Sequence, residues 1–412
     1  MPPVFPNRLV GLDGATFVTS HPCPEYVVIS YTWGRWKRKT RDRDTQVRGG
    51  HWMVPANDLF TRGDLDAAIR NIAGESNIWV DVLCIPQDDS AEMAAEIGKQ
   101  SEIFRLASRA AVWLCSGGEE ALVEICSAVP EETYMIPPDV LALHNPENIA
   151  EARRRLALVA NLPGLIPWTT SLWTLQESAL RVDAVFYSKV GFPLCHQGTG
   201  NPITIRHLIS TLQAIHEGLE MLFTSGRVPS QGILDQPEAW NMCEEDVALV
   251  FQALDAVNLI SLHKLANMNA SELLLACAHR VCQRPHDRAY GIMGAIGVTV
   301  PVNYSADPSA IMNVFLVELH NTVPAEMQAF YREKATSAGG REWFVDEDSS
   351  LLTLVRQLAP PTRRLFYEVE EDGHLVASEV VYVSQSGLQE LTTRALTKTL
   401  LPALNMGAVL EA

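Results

Sequence analysis

Short apolar segments alternate with helical segments in the first part of the chain, and this order constrains the fold more than any other feature. Four segments are rich in β-branched and aromatic residues and are bounded by Pro, Gly or polar residues, as buried strands are: residues 26–31, 78–85, 110–115 and 183–187. Apolar residues recur at helical spacing between the first three, as Leu65, Ala68, Ile69 and Ile72, and then Met93, Ile97, Ile103, Phe104 and Ala107. This order predicts an α/β fold, with a parallel sheet flanked by helices.

The pattern changes after this first part. Residues 205–221 and 246–265 have helical periodicity, whereas residues 364–369 and 374–382 flank Asp372-Gly373, a strong hairpin signal. We therefore predict three regions: an α/β core over residues 1–190, a mainly helical extension over residues 191–310, and a C-terminal accessory α+β region, with a β-hairpin, over residues 311–412.

Charge and hydropathy exclude several classes of protein. The 412 residues contain 32 Lys and Arg against 49 Asp and Glu, a formal net charge of −17. Such a field repels polyphosphates, so a general nucleic-acid binder is disfavoured. No apolar run approaches the roughly 18 residues of a membrane span, and no signal-peptide pattern opens the chain. We expect a cytoplasmic protein without a membrane span.

Cofactor and metal motifs are missing from the sequence. It contains neither a G-x-G-x-x-G nor a G-x-x-x-x-G-K-[ST] phosphate-binding loop. The eight cysteines are scattered, and the tightest cluster, Cys277, His279, Cys282 and His286, has no usual zinc spacing. We therefore predict no metal and no resident cofactor.

The strand ends give the expected position of a site, because parallel sheets bind ligands beyond the carboxyl ends of their strands. Three segments fall there: residues 31–34, 86–88 and 116–118. Their aromatic, polar and glycine residues are typical of a pocket lining.

Four motifs resemble, in this order, the fungal heterokaryon incompatibility (HET) domain family. They are YVVISYTWG at 26–34, IWVDVLCIPQ at 78–87 with Glu96, Gln100 and Phe104 after it, LWTLQE at 172–177, and PHDRAYGIMG at 285–294 with NYS at 303–305. The main resemblance covers about residues 25–180 and a trailing part extends to about residue 306. Pro86 stands where the family usually has Asn, and Asn303 where it usually has Asp.

The resemblance implies a divergent relative of the TIR fold and a site that cleaves NAD. In TIR enzymes of this kind the glutamate of a Trp-x-x-x-Glu element is catalytic, and the matching residue here is Glu177. The implied substrate-binding residues are Ser30, Tyr31, Trp33, Gly34, Arg35, Asp81, Cys84, Ile85, Gln87 and Trp173. The implied setting is fungal non-self recognition and regulated cell death, with NAD or a related dinucleotide as substrate and a homo-oligomer or protein partner for activation.

One carboxylate suffices for this chemistry, because nicotinamide leaves NAD as a neutral molecule and needs no proton donor. An anion under the ribose stabilises the positive charge that develops there. Thr170 and Ser171 are candidate N-caps of the helix with Glu177, which favours its ionised form. Trp173 and Glu177 share a helix face, and the rings of Tyr31 and Trp33 offer stacking surfaces.

Several alternatives stay open at this stage. Glu177 could cap or pair within its helix, Trp173 and Trp79 could be core residues, and Cys84 a buried inert thiol. Asp81, inside a predicted strand, is either paired structurally or part of the pocket. The basic residues 35–43 attract a pyrophosphate or form a solvated loop. Three functions therefore stay open for the chain. It could be an NAD-cleaving enzyme, a self-associating adaptor without activity, or a protein whose pocket acts on another small molecule.

Overall fold

The central element is a six-stranded sheet that is mixed rather than wholly parallel. The structure is a computed structural model that describes residues 4–32, 44–88, 90–128, 146–224, 244–266, 270–278 and 280–322 and five strands beyond them. In space the strands follow the order β2-β1-β6-β3-β7-β8. They are β1 (Arg8–Val10), β2 (Thr16–Val18), β3 (Tyr26–Ser30), β6 (Asn77–Trp79), β7 (Arg109–Trp113) and β8 (Val185–Tyr187). Two short strands, β4 (Thr45–Gln46) and β5 (Met53–Val54), pair separately.

Strands β6, β3, β7 and β8 are parallel to one another, so the predicted α/β class and the positions of four strands are confirmed. The prediction of a purely parallel sheet is wrong. Strand β1 runs antiparallel to β6, and β2 antiparallel to β1. Both have three residues, too few for an apolar pattern to be recognised in the sequence.

Helices cover the sheet and continue beyond it. They are α1 (Arg62–Ala73), α2 (Asp81–Cys84), α3 (Ala91–Leu106), α4 (Glu119–Ala128), α5 (Pro146–Leu165), α6 (Leu172–Leu180), α7 (Ile205–Thr224), α8 (Glu244–Ile260), α9 (Ala270–Ala278), α10 (Asp287–Ile296) and α11 (Pro308–Thr322), with 3₁₀ turns at Pro167–Thr170 and Leu262–Ala266.

The second predicted strand ends earlier than expected. It stops at Trp79, and residues 81–84 form the short helix α2 instead of continuing to Ile85. The Asp81 side chain accepts a hydrogen bond from the Val82 amide at 2.6 Å, and the Ile85 amide donates to the Asp81 carbonyl at 2.7 Å. Asp81 therefore begins a helix at the carboxyl end of the sheet and does not lie inside a strand.

Two buried arginines join the layers of the core. Arg181 donates to the carbonyls of Phe104 and Ala107 at the end of α3. Arg280, whose side chain is 1% exposed, donates to the carbonyls of Ser171 at 2.8 Å and Ile260 at 2.5 Å. Guanidinium donors satisfy several helix-end carbonyls at once, so Arg280 fixes the start of α6 against the helical part.

The C-terminal strands are β9 (Phe330–Arg332), β10 (Ser349–Leu351), β11 (Arg363–Val369), β12 (Leu375–Tyr382) and β13 (Glu390–Ala395). Strand β11 pairs antiparallel with β12, but the turn at Asp372-Gly373 lies outside the described residues, so the hairpin stays a prediction. Within the described ranges, no helix combines the length and the hydropathy needed to cross a bilayer.

Candidate functional site

A cavity of about 220 Å³ lies at the carboxyl end of β3. Its wall contains six of the residues singled out in the sequence, which are Tyr31, Asp81, Ile85, Gln87, Trp173 and Glu177. The other lining residues are Thr32, Met93, Ile97, Gln100, Ser171, Val281, Cys282, Gln283, Arg284, Asp287 and Tyr304. The cavity is therefore built from both sides of the predicted boundary at residue 190.

Glu177 lies in the cavity wall on α6, with 8% of its surface exposed. The Gln100 amide donates to its Oε1 at 3.2 Å, and the Ser30 hydroxyl donates to its Oε2. The Ser30 oxygen in turn accepts a hydrogen bond from the Trp168 indole at 2.8 Å. Ser30 thus orients the carboxyl from the end of β3, although it does not line the cavity.

Burial raises the pKa of Glu177 well above its usual value near 4.5, and the neighbouring Asp81 raises it further, against the hydrogen bond from Ser30. This direction is opposite to the one expected from the helix N-terminus. The N-cap of α6 is Ser171, so Glu177 is the sixth helical residue, beyond the first turn in which the helix dipole acts.

The raised pKa of Glu177 gives a pH signature of stability. The unfolded chain releases this proton near pH 4.5, whereas the folded protein keeps it to higher pH, so its contribution to the free energy of unfolding is lost as pH rises through the raised pKa. We expect Glu177→Gln to gain stability relative to wild type between pH 5 and pH 8. The gain is about 1.4 kcal/mol for each pH unit over which only the folded state holds the proton.

Urea unfolding of both proteins at the two pH values measures this gain. Any loss of unfolding free energy that the substitution causes equally at both pH values cancels when the difference between pH 5 and pH 8 is compared. Parallel pH dependence of the two proteins would mean that Glu177 is ionised in the fold.

Two hydroxyls of the cavity wall are buried without a hydrogen bond of good geometry, Tyr31 and Thr32, each 7% exposed. Asp81 is close enough to raise the pKa of Tyr31 together with burial. The Tyr31 ring packs against Phe60 and Trp113, with centroid distances of 6.0 and 5.7 Å, and the stacking surface expected at Tyr31 stays a prediction. Since Asp81 also interacts with the Tyr31 hydroxyl, Thr32 is the clearer case of a buried hydroxyl without a partner. Such hydroxyls are uncommon, and this one offers a hydrogen bond to a ligand.

Another part of the cavity lining comes from the last two motif segments, to which the sequence analysis gave no binding role. Asp287 at the start of α10 is 5% exposed and accepts a hydrogen bond from the Tyr304 hydroxyl at 2.8 Å. Burial raises the pKa of Asp287, although this hydrogen bond and Arg284 oppose the shift. These residues belong to the motifs at residues 285–294 and 303–305, which the sequence analysis noted. Nothing in the spacing of these motifs indicated that they line a cavity together with Glu177.

The remaining candidates lie elsewhere. Cys84 is 1% exposed and its thiol faces the Ile78 carbonyl at 3.8 Å, because the turn of α2 directs it into the core. Burial also raises its pKa, so the geometry gives no support for a binding role. Residues 116–118 do not line the cavity either, since Gly118 packs on Leu165 and Ile166. Trp33, Gly34 and Arg35, and the basic residues up to 43, lie outside the described residues.

The arrangement suits a small cationic group. Three carboxyl groups, Asp81, Glu177 and Asp287, line the same cavity as the ring of Trp173, and acids beside an aromatic surface favour positive charge. Among the described residues, no group of three or more His, Cys, Asp and Glu side chains is placed to hold a metal ion.

Comparisons with known proteins agree with this part of the chain. The model of the family described as "Heterokaryon incompatibility protein (HET)" matches residues 26–177. The chain is also similar to "Heterokaryon incompatibility protein 6, OR allele" of Neurospora crassa, with 23% identity over 201 residues. That alignment covers 40% of this chain and 29% of the relative, so the chain spans less than a third of the relative's length. No solved structure matches. Residues 26–177 therefore form a domain of the heterokaryon incompatibility (HET) family.

Proposed function

We propose that the cavity cleaves the N-glycosidic bond of NAD⁺, releasing nicotinamide and leaving ADP-ribose or a cyclic form. The observation that carries this proposal is the Glu177 carboxyl, which two hydrogen bonds hold at the wall of an acidic cavity. The second support is the match to the HET family. The relative's name refers to heterokaryon incompatibility, so the proposed setting is fungal non-self recognition and regulated cell death. The relationship to TIR enzymes is part of the same proposal.

The chemistry follows from the charge of the substrate. The pyridinium ring of NAD⁺ is cationic, so its binding beside Glu177 favours loss of the carboxyl proton to solvent. When the bond between ribose C1′ and the ring nitrogen breaks, its electron pair neutralises the ring. The Glu177 carboxylate then stabilises the positive charge on the ribose. Water adds to C1′, and the carboxylate accepts the proton that the water loses.

The size of the cavity decides which part of the substrate enters. A volume of about 220 Å³ is below the roughly 300–1,000 Å³ of pockets that enclose a whole drug-sized ligand. We expect the nicotinamide and its ribose to occupy it. The Tyr31 and Thr32 hydroxyls are then available to the carboxamide or the ribose hydroxyls.

Incubating the purified full chain with NAD⁺ and following nicotinamide by chromatography tests the proposal. We expect nicotinamide to be released only when the protein is present. The control variant Glu75→Gln, at an exposed position after α1, should release it at the same rate. Because activation by self-association or a partner is part of the expectation, the assay is repeated at high protein concentration and with the chain clustered on beads. No turnover in any of these forms would contradict the enzymatic proposal.

A non-enzymatic, self-associating adaptor is the second candidate. The sheet edge at β2 favours it. Among the described strands β2 pairs with β1 alone, and its Thr16 amide donates to the Arg48 carbonyl at 2.7 Å. Val18 and the nearby Leu12 are 67% and 65% exposed, and apolar residues exposed at a sheet edge recruit further strands. Self-association measured by sedimentation, in a protein that releases no nicotinamide, would favour this alternative.

A further inference from the structure

A second cavity, of about 700 Å³, adjoins the first and shares three of its lining residues, Met93, Arg284 and Tyr304. It runs between α3 and residues 299–305. Its α3 wall is Ala91, Ala94, Ala95 and Gly98, which lie on one helix face at intervals of three and four residues. The second cavity is thus larger than the first and has a smooth wall of small side chains.

Arg284 stands at the boundary of the two cavities. Among the described residues that line either one, it is the only cationic side chain. Its guanidinium lies over the ring of Tyr304, 4.5 Å from the centroid, and its charge opposes the rise that burial causes in the pKa of Asp287. An arginine on an aromatic face presents its planar donors in a fixed orientation, which suits a phosphate.

We propose that Arg284 binds the diphosphate of a dinucleotide whose cationic half fills the first cavity and whose other nucleoside lies in the second. This inference rests on the proposed function and deepens it. The diphosphate is negatively charged and would lie near three carboxyl groups of the first cavity. Among the described lining residues, only Arg284 offsets that repulsion. The start of α3, with Ser90 as its N-cap, lies on the same second cavity and adds positive potential there.

The contribution of Arg284 comes from outside the matched family segment, which ends at residue 177. It is therefore a binding residue that residues 26–177 alone do not contain. The buried hydroxyls of Tyr31 and Thr32 mark the first cavity as a ligand site independently of Arg284. The two observations together define a site that extends over both cavities.

Two substrates with the same scissile bond separate this inference from the proposed function. NAD⁺ carries the diphosphate and nicotinamide riboside carries none. We expect Arg284→Gln to raise KM for NAD⁺ about tenfold or more and to leave kcat/KM for nicotinamide riboside within about twofold. Arg206→Gln, at an exposed position on α7, is the matched control and should change neither.

A second variant tests the same geometry without removing a charge. Ala95→Trp fills the second cavity from an exposed helix position. It should therefore raise KM for NAD⁺ and leave kcat/KM for nicotinamide riboside unchanged. Equal losses with both substrates in Arg284→Gln would show that Arg284 acts on the fold, and the inference would be wrong.

Direct binding covers the case in which neither substrate is cleaved and the proposed function fails. Calorimetry with ADP-ribose should then still show binding to wild type that weakens about tenfold in Arg284→Gln. Equal affinity of both proteins, or no binding to either, would overturn the inference.

Discussion

Replacing Glu177 by Gln is expected to lower kcat for nicotinamide release by about 100- to 1,000-fold, the loss typical of removing one preorganised electrostatic group. The side chain keeps its size and can still accept the hydrogen bond from Gln100. It loses the ability to become an anion beneath the ribose, and its amide nitrogen replaces the oxygen that accepts from the Ser30 hydroxyl. We therefore expect a folded protein that binds NAD⁺ and does not turn it over.

Glu96→Gln is the matched control, because Glu96 is also a buried carboxyl but lies outside the cavity lining. It accepts hydrogen bonds from the Asn7 amide and the Trp79 indole and pairs with Lys99 at 2.9 Å. Its loss should lower the free energy of unfolding and leave kcat of the folded fraction unchanged. Equal kcat in wild type and Glu177→Gln would exclude the carboxyl from the reaction.

The dependence of kcat on pH on the acid side gives a second comparison of wild type with Glu177→Gln. Turnover requires the carboxylate, and burial raises the pKa of this group. The rate should therefore rise with pH above the ordinary carboxyl range, unless the bound cation lowers the pKa again. Proton release on NAD⁺ binding, measured by calorimetry in buffers of different ionisation enthalpy, distinguishes these two cases.

The sequence was informative where one local pattern determines the structure. Continuous apolar runs located β3, β7 and β8 within about two residues, because strands of a covered parallel sheet are nearly continuous apolar segments in the sequence. Strands β1 and β2 were missed, since three residues each carry too little pattern. The strand predicted to reach Ile85 ended at Trp79 because Asp81 starts a helical turn, and such a turn depends on one local hydrogen bond.

The candidate site was predictable only in part, for a similar reason. The motif residues Tyr31 and Glu177 do reach one cavity. The direction of the Glu177 pKa shift could not be predicted, because it depends on burial by segments that are distant in sequence. Asp287 and Arg284 lie more than a hundred residues beyond Glu177, and no period or spacing relates them to it.

These distant residues reach the cavity because three helices meet at Gly294 on α10. Its amide donates to the Gln176 side chain on α6 at 2.8 Å, and its carbonyl accepts from Arg105 on α3 at 2.5 Å. A Cβ at this position would lie 2.3 Å from the Ser101 Cβ and 3.0 Å from the Gln176 Oε1. Only a residue without a side chain lets α10 approach this closely.

We expect Gly294→Ala to lower the free energy of unfolding by about 1–3 kcal/mol, the usual cost of overpacking a core. Because α10 begins at Asp287, the same displacement should weaken ADP-ribose binding at Arg284. Gly164→Ala on α5 is the control, since a Cβ there meets nothing within 4 Å. Its better helix propensity should stabilise the protein by up to about 1 kcal/mol. Urea unfolding of both variants gives the two signs.

A double variant identifies the contact that causes the loss. Ser101→Gly removes the Cβ that the new methyl group would meet, at a cost of roughly 0.5–1 kcal/mol in helix propensity. Combined with Gly294→Ala it should recover part of the stability, because the small residue has moved from one helix to the other. A double-mutant cycle measures this coupling. Strictly additive losses would mean that the approach of α3 and α10 at Gly294 does not limit the packing that brings Asp287 and Arg284 to Glu177.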